Sequence, residues 1–233
     1  MIILNTICIS LGGSVISRPI EPNISYVNGF AKIIKRHLKN YRFVIVVGGG
    51  HICRQYINSA KHIIKNNYLL DNIGISATKL NAVFVKNSLA ASGLDVYPDI
   101  LNRIEDLEKA TKTKDVVVMG GLIEGITTDA VSSICAKAVN GILVNISTSG
   151  YLYDRNPSQK GARMLHKINH DRLMKIALLG DSREPGTNFI FDVEGCRIAR
   201  KYGIKIHFIS DSLSELDEAL SGKEDSGTIV SRT

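Results

Sequence analysis

A β-branched apolar run, Ile2 to Ile9, stops at Gly12-Gly13-Ser14, the pattern of a buried strand entering a tight glycine turn. The theme returns at Phe43 to Val47, ending in Gly48-Gly49-Gly50, and at Asp115 to Met119, ending in Gly120-Gly121. Between the first two runs, Tyr26 to Leu38 carries apolar residues at helical spacing. After the second glycine loop, Ile52, Tyr56, Ala60 and Ile63 mark one helix face and Ile73, Ala77, Leu80 and Phe84 mark the next, and both are expected to face the core. Thr127-Thr128-Asp129 opens a further helix with Thr or Asp near its N-cap. Ile142 to Ile146 and Ile204 to Ile209 read as strands, with helices at about Asp192 to Lys201 and Ser214 to Ser221 flanking the second, and Gly227 to Val230 as a closing strand. The stretch Ser147 to His170 is richer in Gly, Pro, Asn and Ser and reads as a loop or hairpin excursion. Strands alternating with helices predict an α/β chain built on a mainly parallel sheet.

A chain of 233 residues buries one substantial core, so residues 1–233 are taken as a single domain. With 44% hydrophobic residues and no apolar run near the roughly 18 that span a bilayer, a soluble protein without a membrane partner is expected. The apolar start lacks a basic leader and a small-residue cleavage site, which points to the cytoplasm. Cys8, Cys53, Cys135 and Cys196 lie far apart inside apolar stretches and read as core thiols. His166 and His170 are four apart but lack a neighbouring carboxylate, so no residue is assigned as a metal ligand. The formal charge of +7 favours an anionic ligand, yet the cations are spread along amphipathic stretches such as Lys32 to Arg42. Without Trp, and with scattered aromatics, nothing suggests a nucleic-acid partner.

A glycine loop between strand and helix points backbone N–H groups into one concavity, where the helix dipole also favours negative charge. Three such loops at the carboxyl ends of successive parallel strands lie along the edge where open α/β sheets bind ligands, and together suit phosphate better than three structural turns. There is no GxxxxGK[ST] loop and no GxGxxG after the first strand, so this is another kind of nucleotide fold. Arg54 sits one turn into the helix that starts at Gly50, where a guanidinium would clamp phosphate; a solvated surface arginine is the plainer alternative. Thr127 and Thr128 suit either phosphate or a helix cap. Asp129 either orients a cation or serves the helix dipole.

The order of these motifs resembles archaeal-type uridylate kinases of the amino-acid-kinase superfamily, over nearly the whole chain. The specific pieces are Val46 to Ile57 (VVGGGxxxRxYI), Asp71 to Ile75 (DxIGI), Val118 to Val131 (VMGG with TTDAV) and Gly186 to Asp192 (GTNFIFD). The resemblance implies a three-layer α/β/α sandwich with a mainly parallel central sheet, the carbamate-kinase-like fold, with an acceptor lobe of about 1–140 and an ATP lobe of about 141–233. The implied activity is phosphorylation of UMP to UDP by ATP and Mg2+, in pyrimidine nucleotide biosynthesis, by a homo-oligomer, a hexamer in these relatives. ATP would meet Gly12, Gly13, Ser14, Gly50, Arg54, Ser147, Tyr153 and Asn156. UMP would meet Gly49, Asp71, Leu122, Ile123, Glu124, Gly125, Ile126, Thr127 and Thr128. Arg54, Asp129 and Arg197 would be catalytic.

Two departures stand out. Ser10 occupies the place where many members of the superfamily carry a lysine, as archaeal-type uridylate kinases also lack it. The segment Ser147 to Tyr153 (STSGYLY) and Asn156 replace a usual acidic pattern on the ATP side. Two other readings stay open: a different small-molecule phosphate kinase, such as an isopentenyl phosphate kinase, and a non-catalytic anion-binding or storage homologue. The histidine expected of the first is absent at Leu122 and Ile123.

Overall fold

A computed structural model describes residues 5–19, 21–155, 159–180 and 191–232. The expected roles of residues 2–4, of Asn156 and of residues 186–190 therefore lie outside the described residues. In chain order the elements are β1 (Asn5–Leu11), α1 (Gly13–Ile16), α2 (Ile24–His37), β2 (Tyr41–Val47), α3 (Gly50–Ala60), α4 (Asn67–Ala91), α5 (Leu107–Thr113) and β3 (Val116–Met119). There follow α6 (Thr128–Ala138), β4 (Ile142–Ile146), β5 (Lys167–Asn169), α7 (His170–Gly180), α8 (Val193–Tyr202), β6 (Ile206–Ile209), α9 (Leu213–Leu220) and β7 (Thr228–Ser231).

The described strands form one sheet in the order β3-β2-β1-β4-β6-β7-β5. All neighbours pair in parallel except β6 and β7, so the sheet is mainly parallel, as the alternation of elements predicts. The chain moves outward from β1 through β2 to β3 and then resumes at β4 on the other side of β1. That reversal makes the carboxyl ends of β1 and β4 a topological switch point, where open sheets leave a crevice.

Successive strand residues point to opposite faces. Ile7, Ile9, Leu11, Phe43, Ile45 and Val47 pack with Phe30 and Ile34 of α2, Leu89 of α4 and Leu216 of α9. Cys8, Val44, Val46 and Val117 join Val131 and Cys135 of α6, Leu173 of α7 and Cys196 of α8 on the other face. Strands buried on both sides read as continuous apolar runs, which is why they were visible in the sequence. The result is the expected three-layer sandwich. Helix starts follow local chemistry: the side chains of Asn23, Thr127, Asp192 and Ser212 accept backbone N–H bonds from α2, α6, α8 and α9.

Three features differ from the sequence reading. Helix α3 has no buried residue, with Tyr56 65% exposed, and Ile63 just beyond it is 87% exposed, so its apolar stripe does not face the core. Helix α4 runs for 25 residues and buries Leu70, Thr78, Asn81, Ala82, Val85 and Leu89, whereas Leu80 points outward. The end of the Ser147 to His170 excursion is strand β5, which adds to the sheet beside β7, and α5 and α7 were not anticipated. Cys8, Cys135 and Cys196 are buried free thiols, as read, whereas Cys53 is a free thiol only half-buried, because its helix α3 lies outside the core; the buried His170 ring meets the Ile204 carbonyl at 2.8 Å. Among the described residues no helix is long and apolar enough to cross a membrane.

Candidate active site

The first two glycine turns extend the parallel ladder beyond the strands. Gly12 N–H donates to the Ile146 carbonyl and Gly48 N–H to the Leu11 carbonyl, each at 2.9 Å. Here the two loops touch. A Cβ on Gly13 would lie 2.1 Å from Gly50 N and 2.5 Å from Gly48 O, and Gly50 itself has φ +62°. Only glycine permits that approach. The contact places the starts of α1 and α3 side by side, so their free amides can serve one anion. Arg54, exposed on α3, donates from Nη2 to Ser14 Oγ at 3.0 Å and so bridges the two turns.

Helix α4 holds the second and third glycine turns. Asn81 Nδ2 donates to the Gly48 carbonyl at 2.8 Å and to the Gly49 carbonyl at 3.0 Å. Thr78 Oγ1 accepts from Gly121 N–H at 2.7 Å and donates to the Ile75 carbonyl. A turn or two earlier, Asp71 Oδ2 accepts from Gly125 N–H at 2.9 Å. Asp71 is thereby brought to the loop Leu122 to Thr128, in which Leu122, Glu124 and Ile126 are half-buried and Ile123 and Gly125 exposed. At the end of that loop Thr127 caps α6, accepting from Ala130 N–H, and Thr128 is the first helical residue.

A polar cluster occupies the switch point. Ser10 and Asn145 are register partners on β1 and β4, so their side chains share a face. Ser10 Oγ donates to Asp129 Oδ1 at 3.0 Å, and Asn145 Nδ2 donates to the same oxygen at 3.2 Å. Asn145 Oδ1 is buried without a hydrogen-bond partner among the described residues. Burial pushes the Asp129 carboxyl up to about 7, with the negative charge of Asp192 adding to the rise and the Ser10 and Asn145 hydrogen bonds opposing it. Asp192 caps α8, accepting from Glu194 and Gly195 N–H, and it also accepts the hydroxyl of Thr127. No cation faces Asp129 in this cluster of described residues.

On the other side of the crevice, Ser147 follows β4 close to Gly12, and its hydroxyl accepts from Gly150 N–H at 3.2 Å. Tyr153, half-buried, pairs with Met164 in a short antiparallel bridge. Arg197 lies on the exposed side of α8, paired with Glu194 of the same turn. Thus the structure gathers Gly12, Gly13, Ser14, Gly49, Gly50 and Arg54, joins Asp71 to the third loop, and sets Asp129 between them and α8. Sequence reading missed Thr78, Asn81 and Asn145. Their signal was polarity where the pattern calls for core: Asn145 interrupts the run ILVNI, and Thr78 and Asn81 lie on the buried side of α4.

Such a site can align two phosphate groups and stabilise charge between them, with backbone amides and one guanidinium as donors. Comparison with known proteins agrees with that chemistry. The amino acid kinase family profile matches residues 5–210. The chain is 35% identical to the uridylate kinase of Thermoplasma volcanium, over 94% of each chain. It is 30% identical to that of Thermococcus onnurineus, over 96% of this chain and 98% of the other. The crystal structure of uridylate kinase from Archaeoglobus fulgidus superposes with a TM-score of 0.84 at 28% identity, covering 97% of this chain and 99% of that one.

Proposed function

The chain belongs to the amino acid kinase family, and on that footing we propose that it transfers the γ-phosphoryl group of ATP to UMP, forming UDP in pyrimidine nucleotide biosynthesis. The observation that carries this reading is the convergence of two touching glycine turns with a third loop bound to Asp71, all at one end of the sheet. The phosphates of ATP would rest on Gly12, Gly13, Ser14 and Gly50, with Ser147, Tyr153 and Asn156 toward its nucleoside. UMP would lie along Gly49, Asp71 and Leu122 to Thr128. The acceptor would thus lie against a lobe of about 1–140 and the nucleoside of ATP against an ATP lobe of about 141–233, with the ATP phosphates reaching across to the glycine turns of the first lobe.

In-line transfer between phosphates asks little covalent chemistry of the protein, because the acceptor oxygen is already ionised near neutral pH. Rate comes from alignment and from charge stabilisation. Arg54 and the helix-start amides hold the reacting phosphates in place, and Arg197 would add a second cation by exchanging Glu194 for phosphate. Mg2+ fits the donor set, since Asp129, Asp192 and the unpartnered Asn145 Oδ1 are oxygen ligands of the kind that hold a hard cation directly or through its waters. Bound with ATP, the ion supplies the positive charge that position 10, a serine, does not.

Assembly as a homo-oligomer, a hexamer by resemblance, accompanies this reading. It is supported by the outward face of α3 and α4, where Tyr56 and Leu80 are exposed and Ile52, Tyr56, Asn72, Ile73, Ser76, Ala77 and Leu80 line a cavity of about 410 Å³. A cytoplasmic location is proposed with it. The deciding assay offers ATP and Mg2+ with a panel of UMP, CMP, dUMP and isopentenyl phosphate. UMP is expected to be the best acceptor. Phosphorylation of isopentenyl phosphate but not UMP would replace the reading with the other kinase, and nucleotide binding without turnover at millimolar substrates would replace it with a non-catalytic homologue.

A further inference from the structure

We propose that Asn81 is a positioning residue: its side-chain amide aims two backbone donors of the second glycine turn at the phosphate. The proposal rests on the nucleotide reading above. Asn81 lies mid-helix in α4 and is 8% exposed, a place where a helix ordinarily presents an apolar side chain. Both of its amide hydrogens are spent outside the helix, on the carbonyls of Gly48 and Gly49 at 2.8 and 3.0 Å.

A trans peptide sends its C=O and its N–H in opposite directions, and no peptide bond among the described residues is cis. Drawing the Gly48 carbonyl toward α4 therefore turns Gly49 N–H away from it. Drawing in the Gly49 carbonyl does the same for Gly50 N–H. Among the described residues no hydrogen bond uses either amide, and Gly50 N faces the first turn across the Gly13 contact. Two successive free donors thus point from α4 toward the space shared by both loops.

The clamp matters because three glycines in a row give the backbone more alternatives than any other tripeptide. A flipped peptide would present a carbonyl oxygen where an anion binds. Cys53 N–H also donates to the Gly49 carbonyl at 3.3 Å, as the opening bond of α3, so that peptide has a second restraint. Among the described residues the Gly48 carbonyl has Asn81 alone. Gly49 N–H is accordingly the donor that depends on Asn81 most.

The test separates phosphate recognition from general damage. Dissociation constants are measured by calorimetry for UMP against uridine and ADP against adenosine, in the wild type, Asn81→Ala, Asn81→Asp and a control, Asn87→Ala, an exposed position of the same helix α4. The expected result is that both Asn81 variants lose about tenfold or more of the preference for nucleotide over nucleoside, while nucleoside affinity changes less than about twofold and the control keeps the wild-type preference. Equal losses for nucleotide and nucleoside, or an unchanged preference, overturn the proposal. A wild type without any preference overturns the functional reading along with it. Should the Asn81 variants fail to fold, amide NMR of the wild type decides: the Gly49 and Gly50 N–H resonances move downfield with UMP or ADP and not with uridine or adenosine, and resonances that do not respond to phosphate overturn it.

Discussion

Replacing Asp129 by asparagine is expected to stabilise the protein at pH 8 while impairing turnover. The amide keeps the shape of the carboxyl and keeps an oxygen for the Ser10 and Asn145 hydrogen bonds, but carries no charge into a buried place already facing Asp192. The carboxyl is pushed up to about 7, against an ordinary Asp value near 3.9. The sign follows from proton counting. Between about pH 4 and 7 the folded state keeps its proton on Asp129 and the unfolded state has lost it, so stability falls as pH rises through this window and levels off above 7. The gap of about 3 pH units corresponds to about 4 kcal/mol, of which about 2 kcal/mol is lost between pH 5 and 7. The assay is urea unfolding of wild type and Asp129→Asn at pH 5, 6, 7 and 8, taking the difference at each pH so that other titrating groups cancel. The difference should grow in favour of the variant from pH 5 to 7 and then hold. A difference that is flat with pH, or a variant less stable at pH 8, would refute the account of a charge buried without a cation.

Arg54→Ala should lower kcat/KM at least tenfold with little change in the unfolding midpoint, because the exposed guanidinium contributes a charged hydrogen bond to phosphate of about 1.5–3 kcal/mol. Steady-state kinetics beside a melting curve checks it, and unchanged kinetics would reduce Arg54 to a pin for Ser14. Gly13→Ala should cost about 1–3 kcal/mol or more of stability and most of the activity, since its Cβ would stand 2.1 Å from Gly50 N, a backbone atom that cannot swing aside. A Gly13→Ala enzyme with wild-type melting and turnover would show that the two loops are free to separate.

The sheet and its glycine turns were legible because parallel strands covered on both faces leave long apolar runs, and each run here ends in glycine. What periodicity cannot tell is which surface an apolar stripe meets. Ile52, Tyr56, Ala60 and Ile63 have the spacing of a core-facing helix, yet α3 lies outside the core and its stripe faces outward. Strand β5, Lys167 to Asn169, has no apolar run to announce it, and its place depends on backbone pairing with β7, some sixty residues later in the chain. The site divides in the same way. Gly13, Gly50, Arg54, Asp71 and Thr127 belong to local patterns and were nameable. Thr78 and Asn81 act across 43 and 33 residues and Asn145 across two strands, so their purpose exists only after folding. Asp192 was readable as the end of a motif, while its bond to Thr127 spans 65 positions.

The register of Ser10 against Asn145 has an evolutionary corollary. Both side chains spend their donors on a single oxygen of Asp129, so positions 10, 129 and 145 behave as one energetic unit distributed over two strands and a helix. Contributions within such a unit do not add. A lysine arriving at position 10 would meet a carboxylate and an unpartnered amide oxygen that welcome it, but only while Asp129 and Asn145 are still present. The order in which substitutions accumulate at these three positions therefore constrains which descendants of this sequence remain folded and charged correctly, a case of epistasis written into strand register.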